Sequence, residues 1–334
     1  MSPLLTTALS FVDGEQGVLR LRGFDLQDLI EHDVSYAAGV GLLFTGSLPE
    51  RDDDVGARLL ALPVGVVDAG DPFVALRRAM ALVDGDDDVC VAGACGRLVG
   101  ALRGKPEQRG GYVERILRGV ADGEVDDDDV GALDRCFLVH LDHALNPGTL
   151  CCRVAASTGA SLSACLTAGL CALEGPLHGG ASSAVGRVLE QDLQGPDDVD
   201  GWVMAQKAAR RRVPGFGHPI YRRRDPRAAV LKTLVERTAD RRRQRRFIDT
   251  AVALEARVID SSGGKLFANV DFYAACLYAT LGVPLALHTP LFFAARVPGW
   301  AAHVREQKER GKTISPDAGY DGPPPRSIHQ GATR

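Results

Sequence analysis

Three short segments of this chain place a histidine or a carboxylate where the backbone can come close to a ligand. In Gly175-Pro176-Leu177-His178-Gly179-Gly180, His178 lies between glycines just after an apolar stretch, at a chain break that favours close approach. In Val213-Pro214-Gly215-Phe216-Gly217-His218-Pro219, a glycine-rich loop ends in His218 and leads into Asp225-Pro226-Arg227. With two glycines and no preceding strand, it is a poor dinucleotide fingerprint but suits an anionic ligand. Asn269-Val270-Asp271 opens an apolar run ending at Gly282-Val283-Pro284, which predicts Asn269 as a helix N-cap and Asp271 in the first turn. Each segment also has a structural explanation: a turn with an incidental histidine, or an acid that complements a helix dipole. Two further candidates are His143 in Leu141-Asp142-His143-Ala144-Leu145-Asn146, and Arg296 among Phe, Ala and Val. An arginine in apolar company needs an anion or a salt bridge.

The elements that must position these residues read as helices. Between Val89 and Leu102 the apolar residues fall at 91, 95, 98, 99 and 102, one helix face. Phe24–His32 and Leu231–Val258 mix apolar and charged residues in a similar way. Val18–Arg22, closed by Gly23, is the one convincing period-two stretch and predicts a short strand. The expected fold class is all-α. Thr149–Leu173 consists of small and apolar residues with one charge, Arg153. Small side chains let helices approach closely, which predicts the buried centre of a large domain or a subunit interface.

Composition narrows the function classes. The chain has 334 residues, 45% apolar and 25% charged, with a net charge of −4. That is the profile of an ordinary globular protein, not a coat on nucleic acid. No window approaches the ~20 uninterrupted apolar residues of a membrane span, and Met1–Glu15 lacks a signal-peptide pattern. Eight cysteines without any CxxC spacing predict neither a disulfide scaffold nor a zinc site, so a reducing cytoplasm is the expected compartment. Lys207–Arg246 holds fifteen Lys or Arg against three acids, the footprint of a polyanion or of a solvated helix face. Aromatic residues are sparse there, so nucleic acid would find few stacking platforms, and a phosphorylated cofactor is a further contender.

Taken in order, these motifs resemble the citrate synthase family from about Gly17 to about Pro323. The segments are GVLRLRGFDLQDL, LDHALN, ALEGPLHGGA, VPGFGHPIYRRRDPRA, LFANVDFY and TPLFFAARVPGWAAH. The resemblance implies an all-α homodimer, with a large domain over residues 1–180 and 283–334 and a smaller mobile domain over 181–282. It implies condensation of acetyl-CoA with oxaloacetate and then hydrolysis of the thioester. Asp271 matches the base that deprotonates the acetyl methyl group, and His178 matches the residue that hydrogen-bonds the enol or enolate oxygen. His218 matches the group that polarises the acceptor ketone. His143, Asn146, Arg227 and Arg296 match acceptor-binding positions. Val213, Gly215, Phe216, Gly217, Tyr221, Lys265 and Asn269 match the region that holds coenzyme A. Acyl-CoA is then a co-substrate, with no tightly bound cofactor and no metal, and neither nucleic acid nor membrane is an expected partner.

The resemblance fails near the C-terminus. Ser315 and Asp317 stand where the family usually has two arginines before a tyrosine, here Tyr320. The first of those arginines reaches a carboxylate of oxaloacetate across the dimer. Arg310, Lys312 or Arg326 would have to compensate. Ala144 and Pro219 also depart from the usual pattern. Alternatives are therefore a paralogue using propionyl-CoA, as 2-methylcitrate synthases do, or another 2-oxo acid. A catalytically idle protein that binds CoA or a partner is a further alternative.

Overall fold

The computed structural model describes residues 5–51, 53–65, 67, 70–105 and 108–325. It begins with a small antiparallel sheet, β1 (Ser10–Asp13), β2 (Val18–Leu21) and β3 (Phe24–Asp25), in which Ser10 pairs with Leu21 and Leu21 with Phe24. Among the described residues nine helices follow: α1 (Leu26–Glu31), α2 (Tyr36–Thr45), α3 (Asp53–Leu60), α4 (Pro72–Met80), α5 (Asp88–Ala101), α6 (Tyr112–Val120), α7 (Asp127–His140), α8 (Pro147–Ser157) and α9 (Leu162–Glu174). Then come α10 (Gly180–Arg187) with a π-turn (Val188–Asp192), α11 (Val199–Ala208), α12 (Pro226–Arg242), α13 (Arg246–Ser261), α14 (Val270–Thr280) and α15 (His288–Arg310). The fold is all-α, and no helix among the described residues is long and apolar enough to cross a membrane.

The elements divide more finely than the sequence pattern alone suggests. The predicted strand at Val18 recruits two neighbours, so Phe24 lies in β3 and α1 starts only at Leu26, with Asp25 as its N-cap. The span Leu231–Val258 is two helices, because Arg243 adopts a left-handed conformation (φ 54°) and stops α12. Neither glycine nor proline marks that break. Thr149–Leu173 is likewise two helices, α8 and α9, the second capped by the Ser161 hydroxyl on the Ala164 N–H.

Helix α15 is the axis of the core. It is buried nearly all round from His288 to Val304, with α2, α5, α7, α8 and α9 packed about it, as expected of a helix apolar on every face. The lone charge of the small-residue region, Arg153, is fully buried against it, 2.6 Å from Glu306 and bonded to Gln307. The helices after α9 pack largely on one another, α10 and α12 on α14 and α11 on α13. Contacts of α12 with α7 and of α10 with α15 join them to the rest.

Candidate active site

The turn after α7, the loop at 213–221 and the heads of α12 and α14 meet in one region. His143 lies in the turn between α7 and α8, where it is buried and its Nε2 lies 3.1 Å from the Tyr221 hydroxyl. The preceding Asp142 anchors that turn. It accepts from the Ser10 hydroxyl at 2.5 Å and from His303 Nε2 at 3.1 Å, while Ser10 Oγ accepts the Ala144 N–H. Burial pushes the Asp142 carboxyl up, but His303, Arg296 and Ser10 together bring it below the ordinary carboxylate range. Asn146 caps α8 through its side-chain oxygen, on the Thr149 N–H.

The loop at 213–221 reverses at Gly215 and Gly217, whose φ values of +77° and +82° suit glycine and few other residues. It is zipped to residues 267–269: Gly217 N–H donates to the Phe267 carbonyl, Asn269 N–H to the Gly215 carbonyl and Asn269 Nδ2 to the Gly217 carbonyl. Phe216 turns inward, its ring 4.8 Å from that of Phe272, and Val213 packs on the core. Both therefore offer a ligand backbone more than side chain. A cavity of about 180 Å³ opens beside this loop, with Arg222, Arg223 and Lys265 on its wall.

His218 ends the loop with its tautomer fixed. Nδ1 accepts the N–H groups of Ile220 and Tyr221, both at 3.1 Å, so the ring proton sits on Nε2. Burial, with the Arg227 charge beside it, brings its pKa down to about 4, so the ring is neutral at pH 7. Its ring lies 5.3 Å from that of His143 and 4.7 Å from that of Tyr221. Arg227, in the first turn of α12, is buried and held by Asp225, which is also the N-cap of that helix.

Asp271 occupies the first turn of α14 behind the Asn269 cap, as the sequence predicts. Burial pushes its carboxyl up to about 6 against the lowering pull of Arg227 and Arg296. Arg296, from the middle of α15, is 1% exposed, and its Nε and Nη1 have no hydrogen-bond partner among the described residues. Burial brings its pKa down to about 10, although Asp142 pulls the other way. A buried guanidinium with free donors is a site for an anion. His178 follows α9, and its Nδ1–H donates to the Ala172 carbonyl at 3.1 Å. Burial lowers its pKa, and so does the charge of Arg296. In this conformation a neutral His178 turns a bare Nε2 outward.

The sequence family described as "Citrate synthase, C-terminal domain" matches residues 89–317. The citrate synthase of Saccharolobus solfataricus is 31% identical, over 95% of this chain and 93% of its own length. The chain belongs to the citrate synthase family. The 2-methylcitrate synthase of Shewanella oneidensis is also 31% identical, covering 96% of this chain and 93% of its own. Among solved structures, the Thermoplasma acidophilum citrate synthase in ternary complex with carboxymethyl coenzyme A and oxaloacetate superposes with a TM-score of 0.83. Its identity is 25%, covering 98% of this chain and 97% of that one. The protein is thus a citrate synthase-like enzyme of the condensing acyltransferase type.

Within this citrate synthase framework, His143, His218, Tyr221 and Arg227 come into mutual contact. Asp271, Arg296 and His178 join them through their electrostatic influence on one another. Sequence reasoning passed over Asp225, Asp142 and His303. A signal for the first was present, since Asp-Pro is a helix start and an arginine one residue later lies within reach of the same carboxylate. The basic segment 207–246 divides in two. Arg241 and Arg242 pair with Asp129, Arg245 pairs with Asp249, and Arg246 donates to the Gln194 carbonyl. That half of the charge is structural, while Arg222 and Arg223 remain exposed at the cavity.

Proposed function

We propose that the enzyme joins the methyl carbon of acetyl-CoA to the ketone carbon of oxaloacetate and then hydrolyses the thioester, releasing citrate and CoA. The observation that carries this reading is the buried Arg296 guanidinium with two unpartnered nitrogens, within electrostatic reach of His143, Arg227 and Asp271. Such a constellation suits a dicarboxylate acceptor facing a base, because an arginine fork matches a carboxylate.

Asp271 takes the proton from the acetyl methyl group, and the electron pair moves to the thioester oxygen. A free carboxylate of pKa ~3.9 is too weak for that step. Its raised pKa helps, and a donor at the developing oxyanion adds ~3–4 kcal/mol. His178 is that donor once its ring turns over and releases the Ala172 carbonyl. The enolate carbon then attacks the ketone, whose oxygen receives the Nε2 proton of His218. Arg227, Arg296, His143 and Asn146 hold the acceptor. Arg222, Arg223 and Lys265 hold the phosphates of CoA over the 213–221 loop, with Tyr221 and Asn269 shaping its floor. Residues 1–180 and 283–334 form one unit and 181–282 a second that closes on it, a division supported by the packing of α10–α14 on one another. Two copies pair through the uncharged outer face of α8 and α9, where Leu150, Val154, Ala164 and Cys171 are exposed.

A second reading, a different acceptor or propionyl-CoA, is favoured by Ser315 and Asp317. Both are exposed on a segment without regular structure. Arg310 donates to Thr6 and Glu306, which speaks against its replacing the missing arginine. Arg326 lies outside the described residues. Thiol release from acetyl-CoA with oxaloacetate, set against propionyl-CoA and a panel of 2-oxo acids, tests both. Rapid release with oxaloacetate supports the first reading, and release only with another pair supports the second. Silence throughout favours an idle binding protein.

A further inference from the structure

We propose that Tyr112 and Tyr36 are positioning residues for Arg296, acting through backbone carbonyls of α15 at the point where Pro298 interrupts its hydrogen bonding. The proposal rests on the reading of Arg296 as a binder of the acceptor carboxylate.

Pro298 lies inside α15 and has no N–H, so the carbonyl four residues earlier, on Ala294, loses its helical donor. A buried carbonyl left unpaired is costly. Two phenols from other helices supply what proline removes. Tyr112 of α6 donates to the Ala294 carbonyl at 2.8 Å, and Tyr36 of α2 donates to the Ala295 carbonyl at 2.8 Å while lying 3.3 Å from that of Ala294. Burial raises both phenol pKa values, which keeps the two hydroxyls protonated and therefore donors.

The pair is built in. Their rings stack at 5.5 Å and both meet the Phe137 ring edge-on. Asp134 accepts the Tyr36 N–H at 2.8 Å. Gly96 of α5 leaves room for the Tyr112 hydroxyl, which a Cβ at that position would overlap. Arg296 is the next residue after Ala294–Ala295, and its guanidinium stands 5.2 Å over the Phe292 ring with Nε and Nη1 unpartnered. The helix segment that aims this fork is thus fixed from outside, by two hydroxyls, where its own ladder is broken. Small displacements of a charged fork weaken the binding of a rigid dianion strongly.

The test is steady-state kinetics of the full-length enzyme with acetyl-CoA and oxaloacetate. Tyr112→Phe is expected to raise the oxaloacetate KM about tenfold, leaving the acetyl-CoA KM unchanged. Pro298→Ala returns an N–H to the ladder, so on that background the same tyrosine change is expected to move the oxaloacetate KM little. An equal rise on both backgrounds overturns the proposal, as does a Tyr112→Phe enzyme whose two KM values shift together. If Tyr112→Phe does not fold, Tyr36→Phe is read the same way: a rise confined to the oxaloacetate KM supports the proposal, and no rise overturns it. Arg296→Lys separates the two levels. If that change leaves the oxaloacetate KM untouched, the site reading fails. If it raises KM while Tyr112→Phe is silent, only the positioning role fails.

Discussion

Asp225 grips Arg227 with both carboxylate oxygens, 2.9 Å to Nε and 2.8 Å to Nη2, and both side chains are buried. The same carboxylate accepts the Arg227 N–H at the head of α12 and the Val270 N–H at the head of α14. One residue therefore caps one helix, braces a second and neutralises the guanidinium that lies 3.4 Å from His218 Nε2. Arg227, the proposed acceptor-binding arginine, and the proposed base Asp271 are held in register by the one Asp225 side chain.

Removing that carboxylate strands a buried charge. Asp225→Ala is expected to destabilise the fold by about 3–5 kcal/mol in urea denaturation and to raise the oxaloacetate KM. Asp225→Asn keeps an oxygen for the cap, so its loss of stability should be the smaller of the two.

The proposed base Asp271 costs the fold stability at neutral pH. Its carboxyl rises from 3.8 to about 6 on folding, so the folded chain holds that proton more tightly than the unfolded chain. The resulting stability is fully present below about pH 3.8 and is lost as pH rises through about 6. Asp271→Asn is therefore expected to be more stable than the parent at pH 7.5, by roughly 1–3 kcal/mol. At pH 4 the two should unfold alike. The same substitution should lower kcat by about 10²–10⁴-fold, and in the parent kcat/KM should fall as pH drops through about 6. Denaturation midpoints at the two pH values, with a pH–rate profile, check both halves.

Ser315 and Asp317 stand where the resemblance leads one to expect acceptor-binding arginines. If Ser315 and Asp317 turn the site away from oxaloacetate, replacing both by arginine should raise kcat/KM for oxaloacetate roughly 10- to 150-fold, the worth of a charged hydrogen bond. An unchanged value would mean that neither position addresses the acceptor.

Assembly is the fourth expectation. A sedimentation-velocity run should show a dimer for the parent chain. Val154→Glu and Cys171→Glu, each placing a charge on the exposed face of α8 or α9, should shift it to monomer, because an unpaired charge in an apolar interface is costly.

Much of the site was legible in the sequence because its signals are local. Asn269 caps the helix that starts one residue later, and Gly215 and Gly217 take the positive φ that turns the His218 loop. Each choice is decided within a few residues by backbone sterics and the demand of orphan N–H groups. The order of the motifs was enough to bring His178, His218 and Asp271 together as candidates. What the chain does between motifs was less legible. Arg243 stops a helix with no glycine or proline to announce it, and Phe24 enters a strand because β2 is there to pair with. The partners of the site were hidden altogether. Tyr112 reaches Ala294 across 182 positions and His303 reaches Asp142 across 161. Such pairs depend on how α15 packs among its neighbours, and packing is settled by the whole core at once. The sequence determined which groups could do chemistry; the tertiary structure decided which were kept neutral, which were braced, and which were left unpaired for a ligand, because desolvation depends on what surrounds a group.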